Sequence, residues 1–145
     1  MAVLKTLCGG AVLAWALALV VVDLTQRRLP NLLTVPGAVV ILLGATACGQ
    51  GASALLGAAV LGSVYLVVHL VDPAGLGGGD VKLAVALGAL TGALGSAVWV
   101  LAALAAPVFT AVAGTVAALC RRGRVVPHGP SMCVASLLAA APAVL

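Results

Sequence analysis

Long apolar segments alternate with short polar turns along the whole chain. The segments are rich in leucine, valine and alanine, and they lack the strict two-residue alternation of a half-buried strand or of a transmembrane β-barrel. The turns contain proline, glycine or charged residues, which end helices and favour loops. The pattern therefore predicts one bundle of six helices over residues 1–145, with approximate bounds 1–22, 32–48, 53–71, 80–92, 96–119 and 131 onward.

The composition indicates that this bundle lies in a membrane. Of the 145 residues, 64% are hydrophobic and 7% are charged, whereas soluble domains have about 45–50% apolar and about 25% charged residues. The many small side chains, such as the Gly88 and Gly92 pair and the Ala54 and Ala58 pair, suit close helix packing in lipid. We therefore predict an all-α, multi-pass membrane protein in contact with the lipid bilayer, with no separate soluble domain in these residues.

Charged residues are confined to alternate turns, and Lys5 is the exception. The odd-numbered turns hold six basic residues, namely Arg27, Arg28, Lys82, Arg121, Arg122 and Arg124. Under the positive-inside rule these turns face the cytoplasm. All the acidic residues and both histidines then lie at that same face. Because topology accounts for the net charge of +4, we predict no nucleic-acid partner.

A glycine-dense turn, Gly75-Leu-Gly-Gly-Gly-Asp80-Val-Lys82, precedes the fourth segment. A carboxylate at such a place is costly near a bilayer and is a candidate functional group. Asp23, at the end of the first segment, is predicted to lie at the same face. Two carboxylates that converge share a proton, so one can activate water while the other polarises a carbonyl. The alternative is structural, since Asp80 would also serve as the N-cap of the fourth helix.

Other chemistry has weaker support in the sequence. His69 and Asp72 share a helix face and, with Asp80 and His128, offer a set of metal ligands, but the chain has no H-E-x-x-H motif. The four cysteines form no C-x-x-C pair, which argues against a zinc or redox site. We predict neither a metal nor another cofactor.

Three segments resemble those of the type IV prepilin peptidases, a family of intramembrane aspartyl proteases. Gly77-Gly78-Gly79-Asp80 fits their G-x-G-D signature, and residues 75–83 resemble their second catalytic segment. Residues 23–31 resemble the first, an aspartate followed by basic residues and a Pro-Asn pair. Val126-Pro127-His128-Gly129-Pro130 resembles their late P-x-G-P loop, in which an aromatic residue usually stands at the position of His128. The segments follow the family's order, and the resemblance covers the whole chain.

The resemblance implies that Asp23 and Asp80 are catalytic aspartates of an endopeptidase. Such an enzyme removes the short basic leader of prepilin or pseudopilin substrates at the cytoplasmic face of the prokaryotic cell membrane. The implied substrate-binding residues are Gly77, Gly78, Gly79, Lys82, Pro127, Gly129 and Pro130. For Lys82 the alternative is an anchor at the membrane interface. The chain lacks the N-methyltransferase region of larger members, so a short form without methylation activity is expected.

The main rival is a small transporter, in which the glycine turn is an unwound segment and Asp23 and Asp80 lie in a proton or ion pathway. That function requires charge nearer the membrane midplane than the predicted face. A non-catalytic assembly subunit is a third hypothesis. The sequence leaves the oligomeric state open.

Overall fold

The computed structural model describes residues 2–26, 29–120 and 127–144, and within them it has six α-helices and no strand. The helices are α1 (Ala2–Gln26), α2 (Asn31–Ala47), α3 (Gly51–Val71), α4 (Gly78–Leu94), α5 (Ser96–Leu119) and α6 (His128–Val144). The predicted all-α bundle is confirmed. The predicted topology depends on Arg27, Arg28, Arg121, Arg122 and Arg124, which lie outside the described residues.

Helix α4 is at the centre of the bundle. It packs against α2, α3, α5 and α6, while α1 packs mainly on α6. Its buried positions are Leu83, Ala84, Ala86, Leu87, Gly88, Ala89, Thr91 and Gly92. Small side chains on a central helix let its neighbours approach closely from several sides. The first turn of α4, which carries Asp80, is therefore held by surrounding helices.

The closest approach between two helices joins α3 and α4 at glycines, as the small-residue spacing predicts. A Cβ added at Gly88 would lie 2.5 Å from the Gly57 carbonyl oxygen, and one added at Gly92 would lie 2.7 Å from the Ser53 carbonyl oxygen. Real Cβ atoms do not approach backbone oxygens so closely. The backbones of α3 and α4 can therefore pack in this way only because Cβ atoms are absent.

Gly88→Ala is expected to lower the free energy of unfolding by about 1–3 kcal/mol, the usual cost of overpacking. The added methyl meets backbone atoms, which cannot rotate away, and this outweighs a gain of about 1 kcal/mol in helix propensity. Gly114→Ala in α5 is the matched control, because no atom lies within 4 Å of its added Cβ. Thermal unfolding of the purified proteins in one detergent checks the pair. A Gly88→Ala protein as stable as the Gly114→Ala protein would contradict the packing account.

Three helices contain segments long and apolar enough to cross a membrane, namely Gly9–Gln26, Gly51–Val71 and Ser96–Leu119. The other helices have 17 residues each, or roughly 25 Å at about 1.5 Å per residue, against a hydrocarbon layer of about 30 Å. Large apolar side chains such as Leu56, Val67 and Leu104 are exposed on the outer surface, where lipid would cover them. The protein is a helical membrane protein.

Two helices extend further than their apolar pattern predicts. Helix α1 continues to Gln26, so Asp23 lies inside the helix rather than in the turn after it. Helix α6 begins at His128, so most of the predicted P-x-G-P loop forms its first turn. Pro130 is compatible with this position because the first N–H groups of a helix have no helical acceptor.

The structural alternative for Asp80, an N-cap of α4, is wrong. Gly77 is the N-cap of α4, and Pro30 is the N-cap of α2. Asp80 is the third helical residue of α4. Its carboxylate therefore lacks the N-cap role that the sequence left open, although it accepts a hydrogen bond from the N–H of the N-cap residue Gly77.

Candidate active site

Asp23 is buried although it lies only one turn from the end of α1. Its side chain is 6% exposed, and its carboxylate accepts a hydrogen bond from the backbone N–H of Gly129. Gly129 is in the first turn of α6, where N–H groups lack helical partners and a negative charge is favoured. A Cβ at Gly129 would lie 2.5 Å from Oδ2 of Asp23, so a larger residue there would displace this carboxylate.

Asp80 is half-buried in the first turn of α4 and bonds back to the glycine turn. Its N–H donates to the Gly77 carbonyl oxygen over 3.0 Å, and its carboxylate accepts a hydrogen bond from the Gly77 N–H. This is the side-chain half of a capping box. Burial, together with the negative charge of Asp23, raises the pKa of Asp80 to about 6 despite the Gly77 N–H.

The two carboxylates lie near each other at one end of the bundle. The charge of Asp23 acts on Asp80, and the thiol of Cys133 lies within electrostatic reach of both carboxylates. The Leu29 side chain fills the space between the two helix starts, since it is 2.9 Å from an added Cβ of Gly79 and 3.5 Å from one of Gly129. The first turn of α4, which carries Asp80, and the first turn of α6, which contacts Asp23 of α1, therefore lie close together. Leu29 and Cys133 were not predicted as part of this site.

His69 and Asp72 shape the glycine turn. The Nδ1–H of His69 donates to the Leu76 carbonyl oxygen over 2.6 Å, and Oδ1 of Asp72 accepts from the Gly75 N–H over 3.0 Å. These bonds hold the chain as it passes from α3 into α4. Among the residues that the structure describes, no three His, Cys, Asp or Glu side chains form a candidate metal site.

The remaining predicted site residues lie around the same end of the bundle. Gly78 starts α4, and an added Cβ there would have the His69 ring as its nearest neighbour, 3.8 Å away. Lys82 is exposed, and its Nζ donates to Oδ1 of Asn31 over 2.6 Å, which joins the start of α2 to α4. Pro127 precedes α6, and Pro130 is in its first turn.

A second polar group, close to the acidic pair, was not predicted from the sequence. His128 Nε2 is 2.8 Å from the hydroxyl oxygen of Tyr65 on α3, and His128 Nδ1 is 2.6 Å from Oγ1 of Thr110 on α5. Tyr65 is the only tyrosine of the chain and is buried. A buried tyrosine hydroxyl usually has a hydrogen-bond partner, and this is the one signal in the sequence that could have indicated the group.

A cavity of about 430 Å³ lies between α3 and α5 and ends beside this group. Its apolar walls include Leu61, Val64 and Val68 of α3 and Val100, Ala103, Leu104 and Pro107 of α5. Tyr65, Leu76 and His128 line it as well. The cavity is thus an apolar groove with a polar end near the start of α4.

Comparison with protein-family models identifies the family. The model described as the type IV leader peptidase family matches residues 10–119, which include Asp23 and Asp80 and end before α6. No curated protein and no solved structure matches the chain significantly. The match covers most of the chain, and the protein therefore belongs to the type IV leader peptidase family. This membership supports a peptidase that acts on prepilin-type substrates.

Proposed function

We propose that this member of the type IV leader peptidase family is an aspartic endopeptidase in which Asp23 and Asp80 act as one pair. The observation that supports it is that Asp23 lies beside the first turn of α6, near enough to Asp80 for its charge to raise the pKa of that residue. Like charges at close range do not both ionise readily, so the pair retains one proton over a range of pH. The proton belongs to the pair and is not assigned to either residue.

Such a pair supplies both a base and an acid for peptide hydrolysis. The ionised carboxylate takes a proton from water as the water oxygen bonds to the carbonyl carbon. The protonated carboxyl gives its proton to the carbonyl oxygen, which forms a tetrahedral diol. One hydroxyl then returns its proton to a carboxylate while the amide nitrogen takes a proton from the other carboxyl and leaves as the amine. The pair ends with the one proton with which it began.

The proposed substrate is a prepilin or pseudopilin whose short basic leader is cut at the cytoplasmic membrane face. A negatively charged pair attracts a basic leader, and the apolar groove between α3 and α5 suits an adjoining apolar helix. We propose that Gly77, Gly78 and Gly79 let the substrate backbone approach Asp80, because they present no side chains.

Contacts from Pro127, Gly129 and Pro130 at the start of α6 complete the proposed substrate site. Gly129 contributes to this site indirectly, because its N–H donates a hydrogen bond to the Asp23 carboxylate. Lys82 is proposed as a further contact, and its ammonium group must leave the Asn31 oxygen to reach a substrate.

Co-expression with a prepilin substrate tests the function. We expect the wild-type protein to shorten the prepilin by its leader, seen as a faster band on a gel and identified by mass spectrometry of the new N-terminus. A wild-type protein that inserts into the membrane and leaves every tested leader intact would contradict the peptidase proposal. Proton or ion flux in vesicles without cleavage would favour the transporter instead.

The pH dependence of kcat/KM is expected to be bell-shaped, because kcat/KM reports the ionisable groups of the free enzyme. At low pH both carboxyls are protonated and no base remains. Burial and the charge of Asp23 raise the pKa of Asp80 to about 6, so activity should fall as pH rises through this region and the shared proton is lost. Peptide cleavage by purified protein between about pH 4 and about pH 9 checks this. A profile that is flat across that range would contradict a shared proton.

A further inference from the structure

His128 joins three helices at the polar end of the groove. It is the first residue of α6, it lies 2.8 Å from the Tyr65 hydroxyl of α3, and it lies 2.6 Å from the Thr110 hydroxyl of α5. The rings of His128 and Tyr65 are also in contact, with centroids 5.5 Å apart and planes inclined by 36°. Both ring nitrogens are therefore used, and neither partner is in the helix that carries His128.

One tautomer of His128 satisfies all these groups. Thr110 Oγ1 donates to the Ala106 carbonyl oxygen over 3.1 Å, which leaves Oγ1 free to accept only. With Thr110 donating to Ala106, Nδ1 of His128 carries the proton and donates it to Thr110, and Nε2 accepts from the Tyr65 O–H. Burial lowers the pKa of His128, which favours this neutral ring over the imidazolium form.

The next residue along the chain is Gly129, whose N–H donates to Asp23. Fixing the His128 ring to α3 and α5 fixes the first turn of α6, and so the direction of the Gly129 N–H. We infer that His128 is a positioning residue, which holds the Gly129 N–H on the Asp23 carboxylate through its two hydrogen bonds to Tyr65 and Thr110. The expected effect of His128 on the cleavage rate rests on the proposed function. Its expected effect on the position of the Gly129 amide rests on the geometry alone.

Three substitutions at His128 and one in each of its two partners separate the two hydrogen bonds. His128→Phe keeps a ring and removes both bonds. His128→Asn places an amide near the position of Nδ1 and retains the Thr110 bond, whereas His128→Gln places one near Nε2 and retains the Tyr65 bond. Tyr65→Phe and Thr110→Val remove one hydroxyl each and leave the rest of the side chain in place.

The kinetic test measures kcat and KM separately on purified full-length protein, with the folded fraction determined for each variant. His128→Phe is expected to lower kcat by about 10- to 100-fold at unchanged KM, since small misplacements of a catalytic group have costs of this size. His128→Asn and His128→Gln should each restore part of the loss. Adding Tyr65→Phe to His128→Phe should have no further effect, because the bond is already gone. A His128→Phe protein with kcat within about twofold of wild type would overturn the inference.

A second readout does not depend on cleavage. In a protein labelled with ¹⁵N-glycine, Asp23→Asn should shift the Gly129 amide resonance, since it removes the charge that this N–H faces. The same Asp23→Asn change made in a His128→Phe background should leave the resonance almost unmoved. An equal shift in both backgrounds would show that Gly129 is held without His128. If wild-type protein cleaves no leader, the proposed function fails, while this amide comparison still decides the positioning role.

Discussion

Asp23→Asn and Asp80→Asn are each expected to lower kcat/KM for leader cleavage by at least about 10³-fold, or about 4 kcal/mol of transition-state stabilisation. An amide neither takes a proton from water nor shares one with the remaining carboxyl. The fold should survive, because the asparagine oxygen at position 80 can still accept the Gly77 N–H and the one at position 23 can still accept the Gly129 N–H. Cleavage of a leader peptide by equal amounts of folded protein checks the expectation.

Asp72→Asn is the matched control. Asp72 is exposed near the same end of the bundle, and its Oδ1 accepts the Gly75 N–H, a bond that an asparagine oxygen also makes. We expect its kcat/KM to remain within about twofold of wild type, because a change at the surface away from the acidic pair has little effect. Activity above about a tenth of wild type in Asp23→Asn or Asp80→Asn would remove that residue from the catalytic pair.

Gly129→Ala is expected to lower kcat by about 10²-fold, the cost of displacing a catalytic group by about 1 Å. The added Cβ would lie 2.5 Å from Oδ2 of Asp23, so the carboxylate must move or rotate. Because the clash is with the end of a side chain rather than with backbone, we expect a small effect on stability. The thermal midpoint and kcat of the same preparation check both parts.

Gly114→Ala serves as the control here as well, since its Cβ has no neighbour within 4 Å and Gly114 lies in the half of α5 after Pro107. It should match the wild-type kcat. If Gly129→Ala also cleaves at the wild-type rate, the contact between α6 and Asp23 has no role in catalysis. If instead Gly129→Ala unfolds the protein, the clash displaces the helices rather than the Asp23 carboxylate. The account in which this carboxylate moves would then be wrong.

The helices could be predicted from the sequence because lipid requires long apolar segments, but several helix ends could not. Helix α1 can extend past Asp23 because the Asp23 carboxylate accepts a hydrogen bond from the Gly129 N–H, more than a hundred positions away. His128 starts α6 inside a motif that looks like a loop, because Tyr65 and Thr110 bind its ring. Contacts between distant residues thus decide the ends, and an apolar pattern does not contain them.

Asp23 and Asp80 could be chosen as candidate site residues from the sequence, through the glycine turn and the family resemblance, whereas the histidine network could not. Thr110 looks like the other threonines of the helices, which bond to the carbonyl four residues before them, as Thr46 and Thr91 do. Thr110 makes that bond too, and its second bond to His128 depends on how α5 and α6 pack. The hydrogen bond from Lys82 to Asn31 joins residues 51 positions apart. It also could not be predicted from the pattern of either segment alone.

The most direct measurement of the pair is the kcat/KM of the Asp23→Asn, Asp80→Asn double variant beside the two single variants. Groups that act as a unit lose their function together, so the second substitution adds little to the first. We predict that the double variant cleaves leader peptide no more slowly than the weaker single variant. Losses that multiply, so that the double variant is slower by the product of the two single effects, would show two independent carboxylates and contradict the account.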